Sequence, residues 1–218
     1  MKHSKNNKRF ATTTIAALSA VAALSLLAAN AAAAPADDLS PWLVRVRAVN
    51  LDMANKSTPI GGVGASDRLT IGSKTIPEID FSYFFTPHIS TELVLTYPQK
   101  KTVYLDGAKI GTFKHVPPTL LAQYHFLPDA QVNPYVGLGV NYTNMHKVHL
   151  LDGNAGLEHS SWGLAAQIGF DVKIDKNWSL NFDAKKVRIR SDVNSGGAII
   201  SKVKVDPVML GVGVGYRF

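Results

Sequence analysis

The chain has 218 residues, of which 46% are hydrophobic and 18% charged, and its formal net charge is +7 with no cysteine. The lack of cysteine excludes a disulfide-stapled scaffold, a zinc ribbon and a thiol nucleophile, and the balanced composition excludes collagen-like, coiled-coil and disordered chains. Four positive charges, Lys2, Lys5, Lys8 and Arg9, precede the first acidic residue; seven minus four leaves +3, too little to predict a nucleic-acid partner.

The first predicted element is a secretory signal peptide. The basic start is followed by an alanine-rich apolar run, 11–29, and by small residues, 30–34, before Pro35. This is the order of charged, hydrophobic and cleavage regions. The apolar core is shorter than the roughly 20 residues that a membrane-spanning helix needs, so cleavage is favoured over an anchor. We therefore expect a signal peptide at 1–34, with the exact bond left open, and a single mature domain at 35–218.

Eight segments of the mature chain alternate apolar and polar residues with the period of two that a β-strand imposes. In chain order they are 42–48, 78–85, 89–97, 120–126, 135–142, 162–174, 178–189 and 208–218. In the seventh segment the apolar parity slips after Ala184 to Val187 and Ile189. The slip indicates either a bulge at Lys185 and Lys186 or an exit of the strand from the membrane.

The connections between these segments differ in length. Short turns occupy 86–88, 128–133 and 175–177, whereas long polar connections occupy 51–74, 98–116, 144–161 and 192–202. Long loops on one side and short turns on the other are typical of outer-membrane barrels. The predicted fold is all-β: an eight-stranded, antiparallel, up-and-down transmembrane β-barrel with long external loops and short periplasmic turns.

Aromatic residues fall near both ends of the predicted strands, as in the two interfacial girdles of a membrane barrel. Those near the short turns or the C-terminus are Tyr83, Phe85, Tyr124, Phe126, Tyr135, Phe170, Trp178, Tyr216 and Phe218; those near the long connections are Tyr97, Tyr142 and Trp162. A soluble barrel or sandwich would also alternate. Here, however, one row is small or charged and suits a narrow lumen, so the bulky apolar row requires lipid.

Several strings match a known family in the same order. They are Val116–Phe126, Asn133–Thr143, Ser161–Gln167, Val205–Pro207 and Gly215–Phe218. On these motifs, essentially the entire mature chain resembles the small porin-like outer-membrane family named after outer-membrane protein W. The resemblance implies a narrow apolar channel that passes small hydrophobic molecules across the outer membrane. It also implies that the protein is not an enzyme and needs no cofactor.

The resemblance carries two further implications for individual residues. Tyr216 and terminal Phe218 correspond to the signal that the barrel assembly machinery reads. The family's constriction pairs an apolar with an aromatic inward residue, and Val94 and Lys185 align there. Lys185 departs from that pattern and is our gate candidate, because a lysine at the constriction leaves room for an anionic head group such as a fatty-acid carboxylate.

The polar row, placed inward, predicts a charge network in the lower lumen. It contains five cations and five anions: Arg45, Arg47, Lys173, Lys185 and Arg217 with Glu78, Asp80, Glu92, Asp171 and Asp183. Breaking one partner out of a buried ion pair costs roughly 3–5 kcal/mol, so charges in a narrow lumen need partners. We expect these side chains to form a cross-strand plug.

Towards the long connections the inward row becomes less polar. Val94, Leu121 and Met209 are apolar there, and Gly211 and Gly213 leave room, which predicts an apolar channel entrance. Three prolines lie at the same ends of their strands, Pro117, Pro118 and Pro207. Proline lacks the N–H that a ladder uses, so we expect a lateral seam. A hydrophobic solute would then pass between the loops, meet the plug and leave sideways into the membrane.

A metal site and a catalytic group are two further hypotheses that the sequence supports less well than a channel. His146, His149 and His159 share one long connection, but their irregular spacing favours solvated histidines over a metal site. Asp183, Glu92 and His125 resemble an acid–base group, yet each has a basic neighbour as a structural partner and no serine elbow accompanies them. We predict no metal and no catalysis.

The surface charges suggest one lipid partner and an alternative function. The basic residues near the long connections are suited to lipopolysaccharide phosphates: Lys100, Lys101, Lys114, Arg188, Arg190, Lys202 and Lys204. A solvated surface is the other interpretation. The alternative to a channel is a structural or interaction barrel whose external loops bind a host surface, a phage or another protein while the lumen stays shut.

Overall fold

The computed structural model describes residues 39–150, 156–157, 160–195 and 198–218. The predicted signal peptide lies outside these residues, as do His159 and the side chains of His146 and His149, so the structure does not bear on the cleavage or metal readings. Across the described residues, no helix has the length and apolarity that crossing a membrane requires.

The described chain is almost entirely extended, with one short 3₁₀ turn at Ile60–Gly62. In chain order its strands are β1 (Trp42–Asp52), β2 (Lys56–Ser57), β3 (Leu69–Ile71), β4 (Lys74–Phe84), β5 (Ile89–Thr96), β6 (Gln99–Leu105), β7 (Ala108–Val116), β8 (Thr119–His125), β9 (Val132–Leu150), β10 (Gly156–Leu157), β11 (Ser160–Lys173), β12 (Trp178–Val187), β13 (Arg190–Ser195), β14 (Ala198–Lys204) and β15 (Val208–Arg217).

Eight of these strands close into an antiparallel barrel, which confirms the predicted fold. Their order is β11-β12-β15-β1-β4-β5-β8-β9, and pairing of β9 with β11 completes the ring. Each of the eight segments recognised from its alternation forms one barrel strand. Since each strand neighbours the next along the chain, short turns connect them at one end, and the longer connections lie at the other.

The outer face of the barrel is apolar and open. Leu138, Leu164 and Ile168 leave 71%, 66% and 62% of their surface exposed, and bulky apolar side chains from every barrel strand share this face. Soluble proteins rarely expose apolar patches beyond a few hundred Å². The belt therefore contacts lipid, and the alternation places the polar row inside.

Aromatic contacts mark both ends of the belt. At the short-turn end Trp42 contacts Tyr83 at 5.0 Å between ring centroids, and at the other end Tyr142 contacts Trp162 at 4.8 Å. The assignment of Tyr135 to the lower girdle is wrong. Its ring is buried in the lumen, where the Arg45 guanidinium lies 5.3 Å from the ring centroid.

The long connections are themselves largely folded into strands, which the sequence analysis did not predict. β6 and β7 form a hairpin, β9 runs on to Leu150, and β13 and β14 form a second hairpin within a small sheet ordered β10-β13-β14-β2. These hairpins alternate as the barrel strands do, with a buried face that mixes polar and apolar residues, such as Lys101 and Val103. They extend the barrel wall beyond the lipid belt.

The change of parity in the seventh segment comes from a change in the polarity of the lumen and not from a bulge. β12 pairs with β11 in unbroken register from Lys173↔Ser179 to Ala165↔Val187, so the predicted bulge is absent there. Val187 and Ile189 keep the inward parity and are buried. The apolar residues change rows because the lumen itself turns apolar at this height.

Candidate functional site

The lower lumen is filled by ion pairs around two arginines of β1. Arg45 binds Glu92 of β5 at 2.7 Å and Asp171 of β11 at 2.7 Å, and it donates to Ser82 Oγ of β4 at 3.0 Å. All these side chains are buried. One guanidinium thus joins strands from opposite sides of the barrel.

Arg47 and Lys185 form the next layer. The Arg47 guanidinium lies 2.8 Å from Glu92, 3.0 Å from Asp80 and 3.1 Å from Asp183. The contacts with Asp80 and Asp183 are ion pairs by distance, but they are not aligned as hydrogen bonds. The Lys185 Nζ lies 3.1 Å from Glu78 and 3.8 Å from Asp183. The gate candidate is therefore a member of the network, hydrogen-bonded to Glu78 and paired in charge with Glu78 and Asp183.

Neutral amides and hydroxyls complete the network on the β8 and β9 side. Gln167 Nε2 donates to Glu92 at 3.0 Å and to Asp183 at 2.6 Å, and Gln123 Nε2 donates to Gln167 Oε1 at 2.9 Å. Ser90 joins Gln123 to His125 through contacts of 3.0 Å and 3.1 Å. Glu92, Asp183 and His125, considered above as an acid–base group, are thus bound to structural partners.

Two predicted members lie outside this network. Lys173 is exposed at the short-turn end of β11 and donates to the Pro128 carbonyl. Arg217 lies near the same end, with its guanidinium 4.5 Å from the Phe84 ring centroid and a hydrogen bond to the Ser40 carbonyl. Both have the inward parity, but both sit too close to a strand end to reach the lumen's centre.

We define the plug as the remaining eight residues: Arg45, Arg47, Lys185, Glu78, Asp80, Glu92, Asp171 and Asp183. It has three cations against five carboxylates, not the balanced set that the sequence predicts. Its surplus is therefore acidic. The plug closes the lumen to bulk solvent and disfavours the passage of a free anion through it.

Above the plug the lumen opens into an apolar chamber made of two adjoining cavities. Both are lined by Ile71, Phe113, Met145 and Val205. The one nearer the plug adds barrel residues, and the outer one is lined mainly by β3, β6, β7, β13 and β14. Most of the chamber wall therefore comes from the folded connections.

Some of the predicted channel residues lie at the chamber and the others lie beside the plug. Val94 and Met209 line the chamber, and Leu121 is buried in the apolar cluster that surrounds it. Gly211 and Gly213 do not line it: a Cβ at Gly211 would lie 3.5 Å from the Arg47 side chain, and one at Gly213 would lie 2.1 Å from the Val46 carbonyl. These glycines allow β15 to pack beside the plug.

The three prolines also have different surroundings from those predicted. The Pro207 carbonyl accepts from Val187 N at 3.1 Å, and the Pro118 carbonyl accepts from Tyr142 N at 3.1 Å. Asn141 Nδ2 donates to the Pro117 and Pro118 carbonyls at 3.2 and 3.1 Å. On these sides the wall is continuous, so Pro207 is not part of a seam.

The wall is interrupted on the other side of Pro117 and Pro118, where β7 and β8 face β6 and β5. Pairing of β5 with β8 ends at Val94↔Thr119, and pairing of β6 with β7 resumes at Gln99↔His115. Between them, no register pair joins 95–98 to 116–118 in the described chain. We call this interruption the seam. It lies beside Pro117 and Thr96, which line the chamber, and at the height of the exposed girdle residue Tyr97.

One chamber residue escaped the sequence analysis. Lys101 lines the lower cavity with 2% of its surface exposed, so its assignment to a surface that binds lipopolysaccharide is wrong. Its neighbour Lys100 is exposed on the opposite face of β6. The inward row of β6 could have been identified from its alternation. Gln99, Lys101 and Val103 lie on one face, and Lys100 and Thr102 lie on the other.

A closed eight-stranded barrel with a lipid-facing belt and a filled lumen defines a small outer-membrane barrel protein. Comparison with known proteins agrees with this class. The model of the OmpW family matches residues 41–218, and the chain belongs to that family. The protein is accordingly an integral component of the bacterial outer membrane.

Relatives cover most of the molecule. The outer-membrane protein y4mB of Sinorhizobium fredii is 37% identical, over 99% of this chain and 100% of its own length. Outer membrane protein W of Escherichia coli K12 is 31% identical, over 72% of this chain and 80% of its own length. The crystal structure of OprG from Pseudomonas aeruginosa superimposes with a TM-score of 0.72 at 27% identity, covering 83% of this chain and 97% of that one.

Proposed function

We propose that this protein is a passive outer-membrane channel for small hydrophobic or amphipathic molecules. The observation that carries the proposal is the chamber, an apolar space that opens among the folded connections and ends on the plug. Pockets with an apolar lining and few polar groups suit small apolar ligands. The proposed activity is movement of a solute and contains no chemical step.

The seam supplies the proposed exit. A solute in the chamber meets the plug below, where displacing any ion pair leaves a buried charge without its partner. At the side it meets a stretch of wall without a backbone ladder, near the upper edge of the lipid belt. The lower-energy path therefore leads sideways through the seam into the outer leaflet.

A chamber-filling variant tests the proposal. Met145 lines both cavities, so Met145→Trp places an indole across their junction. We expect uptake of an uncharged probe, 1-decanol, by vesicles containing the protein to fall about tenfold, the effect expected when a well-fitted apolar contact is replaced by a clash. The matched control is Asn144→Trp, which places the same ring on the exposed face of β9. Equal uptake by the two folded variants would contradict the channel.

A reversible clamp tests the exit. Lys100 and Lys114 face each other across β6 and β7 just above the seam. Cα atoms of such pairs lie about 4.5–5.5 Å apart, within disulfide range. The oxidised Lys100→Cys/Lys114→Cys variant should release 1-decanol into the bilayer several-fold more slowly, and reduction should restore the rate. An Arg190→Cys/Lys204→Cys clamp across β13 and β14, away from the seam, should have no effect; slowing by both clamps would argue against the seam.

The proposed partners beyond the solute are surface contacts. We propose that exposed basic residues outside the chamber, such as Lys100, Arg188 and Lys202, pair with lipopolysaccharide phosphates. Tyr216 and Phe218, in edge contact at 5.1 Å at the end of β15, are our proposed recognition signal for the barrel assembly machinery. Export by a cleaved signal peptide at 1–34 precedes that step in this proposal.

A further inference from the structure

The chamber contains a buried cation, Lys101, that no acidic group of the described chain pairs with. The Lys101 ammonium is enclosed in the wall of the lower cavity and has no hydrogen-bond partner among the described residues. Removing an ammonium from water without a partner is costly. Folded proteins rarely keep a buried lysine unpaired, so this group requires an explanation other than stability.

Among the residues that the structure describes, no carboxylate forms an ion pair with Lys101. Phe113 faces it across the β6–β7 ladder, and Met145 and Val205 share the cavity wall. Burial and the nearby charge of Lys74 lower the pKa of Lys101 to about 8, which still leaves the ammonium the major form at neutral pH. Glu78 lines the same cavity, but its carboxylate is bound to Lys185 at 3.1 Å.

We propose that Lys101 binds the ionised carboxylate of a single-chain alkyl monocarboxylate whose tail lies in the chamber. This inference rests on the proposed channel function and names a substrate class for it. A single ammonium balances one negative charge, so a monoanion leaves the apolar chamber neutral, whereas a phosphate dianion would leave a buried charge. The apolar wall on both sides of Lys101 suits the tail.

The plug explains why such a ligand stays in the chamber. Its five carboxylates outnumber its three cations, so it repels a second anion. Lys185, the residue that the sequence suggests for an anionic head group, is already paired with Glu78 and Asp183. Lys101 is therefore placed at the last favourable position for a carboxylate before the plug, within the cavity that also touches the seam.

The test measures binding to the full chain in nanodiscs of zwitterionic lipid at pH 7, with decanoate and 1-decanol as probes. We expect Lys101→Met to weaken decanoate binding about tenfold or more, the effect of losing one charge-assisted contact, and to lower the ratio of decanoate affinity to 1-decanol affinity by a similar factor. Lys101→Arg should recover most of the decanoate affinity. Lys100→Met, on the exposed face of the same strand, is the matched control and should bind like the unmodified protein.

The outcomes separate this inference from the channel proposal. If Lys101→Met binds decanoate as tightly as the unmodified chain does, or if the unmodified chain does not prefer decanoate to 1-decanol, the carboxylate site is wrong while the channel still stands. If 1-decanol binding is absent, or survives Met145→Trp unchanged, the channel proposal itself fails. Heat-modified migration on gels confirms that each variant is folded before its affinity is compared.

Discussion

The plug and the chamber lie in the same barrel, and in both the inward residues alternate with outward ones. They differ in whether their buried lysine has a partner. In the plug, Lys185 is 3.1 Å from Glu78 and 3.8 Å from Asp183. In the chamber, the Lys101 side chain is also enclosed but has no hydrogen-bond partner among the described residues. The comparison suggests a rule: charges that the fold satisfies internally serve structure, and a charge left unsatisfied points to a ligand.

The largest expected effect is the loss of the plug's central cation. Arg47→Met leaves Asp80, Glu92 and Asp183 without the guanidinium that lies within 3.1 Å of each. We expect the free energy of unfolding, measured with urea in lipid vesicles, to fall by about 3–5 kcal/mol. Arg188→Met, at an exposed position, should change it by less than about 0.5 kcal/mol. Equal effects of the two substitutions would mean that the plug does not stabilise the barrel.

A smaller loss should follow from crowding the plug's backbone. A Cβ at Gly213 would lie 2.1 Å from the Val46 carbonyl, whereas one at Gly211 meets only the Val49 methyl at 3.3 Å as its nearest neighbour. We expect Gly213→Ala to lower stability by about 1–3 kcal/mol because two strands must separate. Gly211→Ala should cost less, since a side chain can adjust. The same urea titration compares them, and a reversed order would show that β15 packs differently.

The smallest effect has the opposite sign and sharpens the contrast between the two lysines. Lys101→Met removes an unpaired buried charge, so it should stabilise the empty protein by on the order of 1–2 kcal/mol at pH 7. Lys185→Met should destabilise it instead, because Glu78 loses its partner. A stabilising effect of both substitutions would remove the distinction between plug and chamber.

The gain from Lys101→Met should depend on pH. The pKa of Lys101 lies near 8 in the fold, below its ordinary value of 10.5, because of burial and of the positive charge of Lys74; His115 and the paired Glu78 line the same cavity. A cation whose pKa is lowered by folding destabilises the protein fully below pH 8 and not at all above pH 10.5. The difference between the two proteins should therefore shrink over that interval, and a constant difference would contradict an ionised Lys101.

The sequence carried enough information to predict the barrel. Period-two rows located all eight strands because a lipid-facing row is conspicuous wherever it occurs, as at Leu138 and Leu164. The same parity brought Arg45, Arg47 and Glu92 together, since opposite charges on facing walls of a narrow lumen must meet. These features follow from local alternation and geometry alone.

The chamber could not be predicted in the same way. Its walls come from connections whose outer rows face water, so strands such as β6 and β7 look polar on average although Phe113 and Val103 point inward. Strand ends were the second difficulty. Parity alone places Lys173 and Arg217 in the lumen, but only the register shows how near each residue is to the barrel's rim.

The hairpin of β6 and β7 ends in a tight turn at Asp106 and Gly107, which both have positive φ angles, 50° and 81°. Its tip is exposed, while its inward row lines the chamber further down. A partner that binds the tip would therefore contact amino acids several positions away from those that line the chamber. Epitopes grafted at the tip should alter immune recognition while leaving permeability intact, which makes this hairpin a natural place to display foreign peptides on a bacterial surface.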